Sequence, residues 1–270
     1  MELSEIKIAI IFDFDETLVS DSTTQLLEKY HIDTDEFWDI KHAALIQEGW
    51  NPTEAYLMLL VKEMKERGKL GELTPYKLRE FGASLLLFEG VYDMFNTLRQ
   101  RASDNVAIQF FVISGGLQEI IAGALEKKLT AFWGCTLDNG ESLGVPYPQN
   151  IVSFTEKTKY LFQINKGLIG ANYKNKPYEV NEFMEPKARA IPLENMIYVG
   201  DGLTDVPCFS ILEDKGHPIV VYNQTQSRRA GIQRALHVAR HRSLFGPYKA
   251  NYERGSCLRN IIEEIALSLA

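Results

Sequence analysis

The chain has 270 residues, of which 45% are hydrophobic and 24% charged, and it carries a formal net charge of −7. This composition is typical of a globular protein and excludes collagen-like and disordered chains. The negative charge disfavours nonspecific binding to nucleic acids or anionic membranes, and the apolar runs are too short to cross a bilayer. Three widely spaced cysteines and the lack of a basic, apolar leader predict a reducing, cytoplasmic location.

Four short apolar runs predict the strands of an α/β protein. They are almost continuously hydrophobic, as expected of parallel strands that are covered on both faces, and helical patterns separate most of them. We therefore predict a Rossmann-like, three-layer α/β/α core around a parallel sheet. The predicted strands are Ile6–Phe12, Val106–Ile113, Met196–Val199 and Ile219–Tyr222.

One stretch interrupts this alternation, because residues 22–86 show helical periodicity and no convincing strand. Leu57, Leu60 and Met64, for example, recur at the spacing of one helix face. We predict an inserted helical domain over residues 21–86, and a core formed by residues 1–20 and 87–270. Further along, Thr155–Lys166 is predicted as a helix, and residues 168–195 as a long surface connection.

Polar residues follow three of the predicted strands. Asp13 and Asp15 come after the first, Ser114 and two glycines after the second, and the segment from Gly200 to Asp205 after the third. Ligands of parallel sheets bind beyond the carboxyl ends of the strands, so these groups are predicted to share one site. Taken singly, each segment is also compatible with an ordinary turn or helix cap.

The third segment resembles a dinucleotide-binding fingerprint only superficially. Asp205 stands where that motif needs a small residue, and Asp201 would place a negative charge beside the pyrophosphate. Clustered carboxylates instead favour a hard divalent cation such as Mg²⁺, together with a phosphate group. A fixed cation is also needed near the carboxylates, and Lys157 is the first candidate and Lys159 the second.

In combination these residues resemble the motifs of the haloacid dehalogenase-like (HAD) superfamily. Its DxDx[TS] motif matches Asp13, Asp15 and Thr17, its Ser or Thr at a strand end matches Ser114, and its GDGxxD motif matches residues 200–205. The motifs occur in the family's order and anchor most of the chain outside the helical insertion. The insertion itself resembles the mobile cap of the family.

The resemblance implies a role for each matching residue. Asp13 would be the nucleophile that forms an aspartyl-phosphate, and Asp15 the general acid and base. Lys157 would neutralise charge. The phosphate-binding residues would be Ser114, Gly115 and Thr17, and the hydroxyl of Thr17 would fix the loop. The Mg²⁺ ligands would be Asp13, Asp15 (through its backbone carbonyl), Asp201 and Asp205.

The pattern is most similar to that of phosphoserine phosphatases, with two departures. Ser22 stands where those enzymes carry a glutamate that reads the substrate amine, and Thr204 replaces their asparagine. The neighbouring Asp21 is predicted to point elsewhere. Phosphoserine is therefore not expected to be the substrate.

We predict a Mg²⁺-dependent phosphatase that acts on a small phosphorylated metabolite, with no nucleic-acid or membrane partner. Three alternatives stay open at this point: a phosphomutase or phosphotransferase with the same motifs, a non-catalytic phosphate-binding regulatory module, and a protein-phosphate phosphatase. The aromatic residues of the insertion could line a pocket, but packing within the insertion is the favoured interpretation. These residues are Phe37, Trp38, Trp50 and Tyr56.

Overall fold

A seven-stranded sheet organises the protein, which we describe from a computed structural model covering residues 5–101, 105–138, 146–170, 173, 176–223, 228–240 and 242–270. The strands lie in the order β4-β3-β2-β1-β5-β6-β7, and all neighbours are parallel except β3 and β4. The predicted α/β class is thereby confirmed. The strands are β1 (Ile6–Phe12), β2 (Val106–Leu117), β3 (Ala131–Asp138), β4 (Tyr147–Asn150), β5 (Met196–Gly200), β6 (His217–Tyr222) and β7 (Phe245–Lys249).

The four predicted strands are the four central ones, β2, β1, β5 and β6. Residues 8–12 of β1 and all five residues of β5 are buried, which explains their unbroken apolar sequences. One detail of the prediction is wrong. The second strand does not end at Ile113, because Ser114 and the two glycines after it continue β2 to Leu117, with an irregular register against β3.

Ten α-helices flank and connect the strands in the described part of the chain. The helices are α1 (Ser22–Lys29), α2 (Ala43–Gln47), α3 (Pro52–Glu66), α4 (Pro75–Ser84), α5 (Val91–Arg101), α6 (Gln118–Leu125), α7 (Glu156–Lys166), α8 (Val206–Leu212), α9 (Arg228–Ala239) and α10 (Cys257–Ser268). None of the helices in the described ranges has the length and apolar character needed to cross a membrane.

The segment between β1 and β2 is helical, as its periodicity predicted. It contains α1 to α5 and a π-helical stretch at Glu36–His42. Leu57, Leu60 and Met64 are fully buried on the inner face of α3. Glu63 is also buried, and Lys41 and Arg67 both form ion pairs with it. The division of the chain into a core and an inserted domain stays a prediction.

Helix α4, although it belongs to the helical segment, packs closely on the core helix α6. A Cβ atom at Gly82 would lie 2.1 Å from the carbonyl oxygen of Ile120, so only glycine permits this approach of the two backbones. Arg79 of the same helix forms ion pairs with Glu119 at 2.5 Å and Glu126 at 2.8 Å. Helix α4 of this segment is thus fixed to α6, the helix that follows β2 directly.

Replacing Gly82 with alanine is expected to lower the free energy of unfolding by about 1–3 kcal/mol, because the added methyl group must push the two backbones apart. Chemical denaturation measures this change. Gly71→Ala is the matched control, since a Cβ atom there meets no atom within 4 Å. Equal stabilities for the two variants would contradict the close packing of α4 on α6.

The C-terminal part of the chain reaches back to the loop after β1. Tyr252 is fully buried, and its hydroxyl donates a hydrogen bond of 2.8 Å to the carbonyl of Thr17. Arg259 of α10 is also buried and contacts Asp93 of α5 at 2.6 Å and the carbonyl of Tyr252 at 3.2 Å. Tyr252 and Arg259, which are distant in sequence from the loop after β1, therefore support this loop.

Candidate active site

The polar residues at the carboxyl ends of β1, β2 and β5 meet at one edge of the sheet. Because β1 lies between β2 and β5, the carboxyl ends of these three strands are adjacent. The amide of Asp13 continues the pairing of β1 with β5 by donating to the carbonyl of Val199 at 2.9 Å. Asp13, Asp15, Ser114 and Asp201 consequently line a common cleft of about 380 Å³.

Lys157 lies at the centre of a buried ion-pair network. Its Nζ atom is 2.9 Å from Oδ2 of Asp13 and 2.8 Å from Oδ1 of Asp205, and its side chain is 1% exposed. Asp205 also accepts hydrogen bonds from the hydroxyl of Tyr198 at 2.9 Å and the amide of Gly202 at 3.2 Å. The ammonium group therefore holds the two carboxylates in fixed positions.

The network determines how these groups ionise. Burial raises the pKa of Asp13 to about 6 although Lys157 opposes the shift, so the carboxylate is ionised at neutral pH. Burial alone would lower the pKa of Lys157, but the carboxylates of Asp13 and Asp205 reverse this effect and raise it. The pair is therefore charged at neutral pH.

Asp15 lies beside Asp13 in a different environment. Its Oδ1 atom accepts a hydrogen bond of 2.7 Å from the amide of Ser22, at the start of α1. Burial raises the pKa of Asp15 well above its usual range, and the nearby charge of Asp21 adds to this shift. Gly116 makes room for the side chain, because a Cβ atom there would lie 2.5 Å from Oδ2 of Asp15.

Two of the three predicted phosphate-binding residues line the cleft, and the third does not. Ser114 and Gly115 line the cleft, and the hydroxyl oxygen of Ser114 accepts the amide of Gly116 at 3.0 Å. Thr17, in contrast, is fully buried and is not among the residues that line the cleft, so the structure does not bring it to a substrate. Its Oγ1 atom has no hydrogen-bond partner within the described residues.

The two candidate lysines point in different directions. Lys159 forms an ion pair with Glu156 and lies 4.5 Å from the centre of the Tyr160 ring. It lines a separate cavity of about 740 Å³ next to β3, whereas Lys157 lines the cleft that contains Asp13. Of the two, only Lys157 is brought to the carboxylates.

Three carboxylates are close enough to share a divalent cation. Oxygen atoms of Asp13, Asp201 and Asp205 all lie within 4.8 Å of one another. Burial raises the pKa of Asp201 well above its usual range, and repulsion from Asp205 and Asp13 adds to this effect. A bound cation would relieve this repulsion, so hard oxygen donors at this spacing fit Mg²⁺.

The hydrogen bonds of Asp205 distinguish it from the other two carboxylates. Lys157 and Tyr198 occupy Oδ1, the amide of Gly202 occupies Oδ2, and the side chain is fully buried outside the cleft lining. Asp201 does line the cleft, and Arg234 is 3.6 Å from its Oδ2 atom. This arrangement suits Asp201 as a ligand and Asp205 as a residue that positions Lys157.

The helical segment also contributes to the lining of the cleft, and here one prediction is wrong. Asp21 lines the cleft, whereas Ser22 is fully buried and does not. Trp38 and Tyr56 line the cleft as well, and they also pack within the helical segment, as predicted, because the Trp38 ring contacts those of Phe37 and Tyr56. Phe37 is 1% exposed and is confined to packing.

Further residues of the cleft left no signal in the sequence, among them the ionisable side chains of Glu16, His42 and Arg234. Glu16 follows Asp15 with a positive φ of 59°, and its carboxylate accepts hydrogen bonds from the amide of Asp21 and the side chain of Asn223. The position of this polar residue within the DxDx[TS] motif, between Asp15 and Thr17, is the signal that could have placed it at the site.

Comparisons with known proteins find one relative and several solved structures, all at low identity. No protein-family model matches the chain. An uncharacterized protein of Borreliella burgdorferi is 28% identical over 295 aligned positions, which cover 97% of this chain and 98% of the relative.

The comparison with solved structures finds similarities with TM-scores below 0.5. A probable phosphoserine phosphatase from Vibrio cholerae has a TM-score of 0.45 at 12% identity, covering 99% of this chain and 68% of that one. A HAD-hydrolase of Bacillus subtilis, solved with bound magnesium, has a TM-score of 0.42 at 16% identity, covering 83% and 91%. A phosphoserine phosphatase from T. onnurineus has a TM-score of 0.43 at 12% identity, covering 82% and 86%.

Proposed function

We propose that the protein is a Mg²⁺-dependent phosphatase of the haloacid dehalogenase-like superfamily that hydrolyses a small phosphomonoester. The observation that carries this proposal is the buried ion pair between Asp13 and Lys157 at the end of β1, with Asp15 beside it. A carboxylate that is ionised, fixed and accessible from a cleft is suited to nucleophilic attack. The volume of about 380 Å³ supports a small substrate.

In the first half-reaction a carboxylate oxygen of Asp13 attacks phosphorus, and the bond from phosphorus to the ester oxygen breaks. Asp15 gives its proton to the departing oxygen, so that a neutral alcohol leaves. The product is an aspartyl-phosphate on Asp13. Ser114 and the backbone beside it line the cleft where the phosphoryl oxygens would be held.

In the second half-reaction water attacks the phosphorus of the aspartyl-phosphate. Asp15, now ionised, accepts a proton from this water, and the bond between phosphorus and Asp13 breaks. Inorganic phosphate is released, and Asp13 and Asp15 return to their starting states. Throughout the cycle, the ammonium group of Lys157 offsets negative charge next to Asp13.

Asp13 and Asp201 would hold the Mg²⁺ ion, with the backbone carbonyl of Asp15 as a further ligand. When bound, the ion neutralises charge on the phosphoryl oxygens and fixes their orientation. Asp205 contributes by holding Lys157 in place. A local positive charge of this kind explains how a chain of net charge −7 could bind an anion.

Release of inorganic phosphate from p-nitrophenyl phosphate and from a panel of small phosphomonoesters tests the proposal. Chelation of divalent ions is expected to lower the rate roughly a hundredfold or more, and added Mg²⁺ to restore it. Asp201→Asn should weaken Mg²⁺ binding in calorimetry, while Asp214→Asn, at an exposed position, serves as the control. Full activity in the presence of the chelator would contradict the proposed metal dependence.

The same experiment separates a phosphatase from a phosphotransferase. A phosphatase releases one phosphate for every ester cleaved, whereas a mutase or transferase keeps the phosphoryl group on an organic hydroxyl. Alcohol release without equivalent phosphate release would therefore favour the second function. Inactivity toward the whole panel would contradict both.

A further inference from the structure

The part of the cleft lining that comes from the helical segment contains aromatic rings and one acidic side chain. We call it the leaving-group wall; it comprises Asp21, Thr23, Trp38, His42, Thr53 and Tyr56. All six belong to the helical segment. In the proposed reaction the phosphoryl group lies at Asp13, so the alcohol part of the substrate would face this wall.

The rings of the leaving-group wall are held in place. The centre of the Trp38 ring lies 5.2 Å from that of His42 and 6.0 Å from that of Tyr56. Trp38 donates from Nε1 to the hydroxyl of Thr24 at 2.9 Å, and Tyr56 donates to the carbonyl of Gly115 at 2.6 Å. Their rings are therefore fixed within the lining of the cleft, so little side-chain freedom is lost on binding.

Asp21 supplies the charge of the leaving-group wall. Its Oδ1 atom caps α1 by accepting the amide of Thr24 at 2.6 Å, which fixes the carboxylate at the rim of the cleft. Among the described residues that line the wall there is no lysine or arginine. The cleft cations lie elsewhere, Lys157 at Asp13 and Arg234 at Asp201.

A fixed carboxylate beside aromatic faces attracts a cation, and quaternary ammonium groups are commonly bound in this way. A carboxylate on the leaving group would meet the like charge of Asp21 on a wall whose described residues include no lysine or arginine to pair with it, and this disfavours binding. We propose that the substrate is a phosphomonoester of a small alcohol that carries a cationic amine and no carboxylate. This inference rests on the proposed phosphatase function and specifies its substrate class.

Isosteric substrate pairs test the recognition of charge. Phosphocholine is compared with its uncharged isostere, in which a tert-butyl group replaces the trimethylammonium group, and phosphoethanolamine with propyl phosphate. In at least one pair we expect kcat/KM to be roughly tenfold higher for the cationic ester. O-phosphoserine, which carries a carboxylate as well as an amine, should be a poorer substrate than either cationic ester.

Two variants test whether Asp21 and Trp38 cause the preference for the cationic esters. Asp21→Asn keeps the cap of α1, because asparagine caps helices as well as aspartate does, but it removes the charge. The ratio of kcat/KM between the cationic and the neutral ester should fall toward one. Trp38→Leu should lower the same ratio, and Trp50→Leu, at an exposed position outside the cleft lining, should leave it unchanged.

The outcomes separate this inference from the phosphatase proposal. Equal kcat/KM within both pairs, or a ratio that is unchanged in Asp21→Asn, would overturn the inference while the phosphatase function stands. If no ester is hydrolysed, the phosphatase proposal fails, and calorimetry then decides the inference alone. Binding of phosphocholine no tighter than binding of its neutral isostere would overturn it, and tighter binding lost in Asp21→Asn would support it.

Discussion

Replacing Asp13 with asparagine is expected to lower the rate of phosphate release on the order of a thousandfold or more, because the amide oxygen is a far weaker nucleophile than a carboxylate. The variant should fold, since asparagine has nearly the same shape and can still bond to the amide of Phe14. Steady-state phosphate release measures the loss, and Asp214→Asn is again the exposed control. A fully active Asp13→Asn variant would refute the proposed mechanism.

A labelling experiment extends this prediction to Asp15. With p-nitrophenyl phosphate, whose leaving group needs little protonation, Asp15→Asn should still transfer a labelled phosphoryl group to Asp13. It should then hydrolyse the product slowly, because no base remains to accept a proton from water. Label that survives an acid quench and is released by hydroxylamine is expected in Asp15→Asn and absent from Asp13→Asn. Label in both variants would place the nucleophile elsewhere.

Replacing Lys157 with methionine is expected to affect both activity and stability. The change leaves the buried carboxylates of Asp13 and Asp205 without the cation between them. Removal of one partner from a buried ion pair costs about 3–5 kcal/mol, and the free energy of unfolding should fall by this order without divalent ions. Chemical denaturation and phosphate release measure the two effects.

Lys159→Met is the matched control for this change. Lys159 lies two positions along α7, is 27% exposed and forms an ion pair with Glu156. An exposed ion pair of this kind contributes at most about 1 kcal/mol, and the residue lies outside the cleft lining. Loss of activity in Lys159→Met with normal turnover in Lys157→Met would show that the cation has been assigned to the wrong lysine.

The central strands and the strand-end carboxylates could be predicted because burial on both faces leaves a distinct sequence. The outer strands left no such pattern. Ala131–Asp138 has only two fully buried residues, and Tyr147–Asn150 contains a proline that suits an edge position. Phe245–Lys249 contains both glycine and proline. Such strands are defined by their neighbours rather than by their own periodicity.

The residues of the cleft also differ in how well their positions can be predicted from the sequence. Asp13, Asp15 and Asp201 follow buried strands, so their position at the sheet edge follows from topology. The placement of Asp21 depends on where α1 begins, because a cap residue and the first helical residue point in different directions. A shift of one residue in the helix start exchanges Asp21 and Ser22, and sequence patterns do not locate helix ends so closely.

The hydrogen bond from Tyr252 to the carbonyl of Thr17 has a consequence for the order in which the protein is completed during translation. The loop that carries Asp13 is synthesised first, yet the hydroxyl that supports it belongs to a residue near the end of the sequence. Arg259, which holds the Tyr252 carbonyl, emerges later still. The loop that carries Asp13 therefore acquires this support only after the 235 residues that separate Thr17 from Tyr252 have been made.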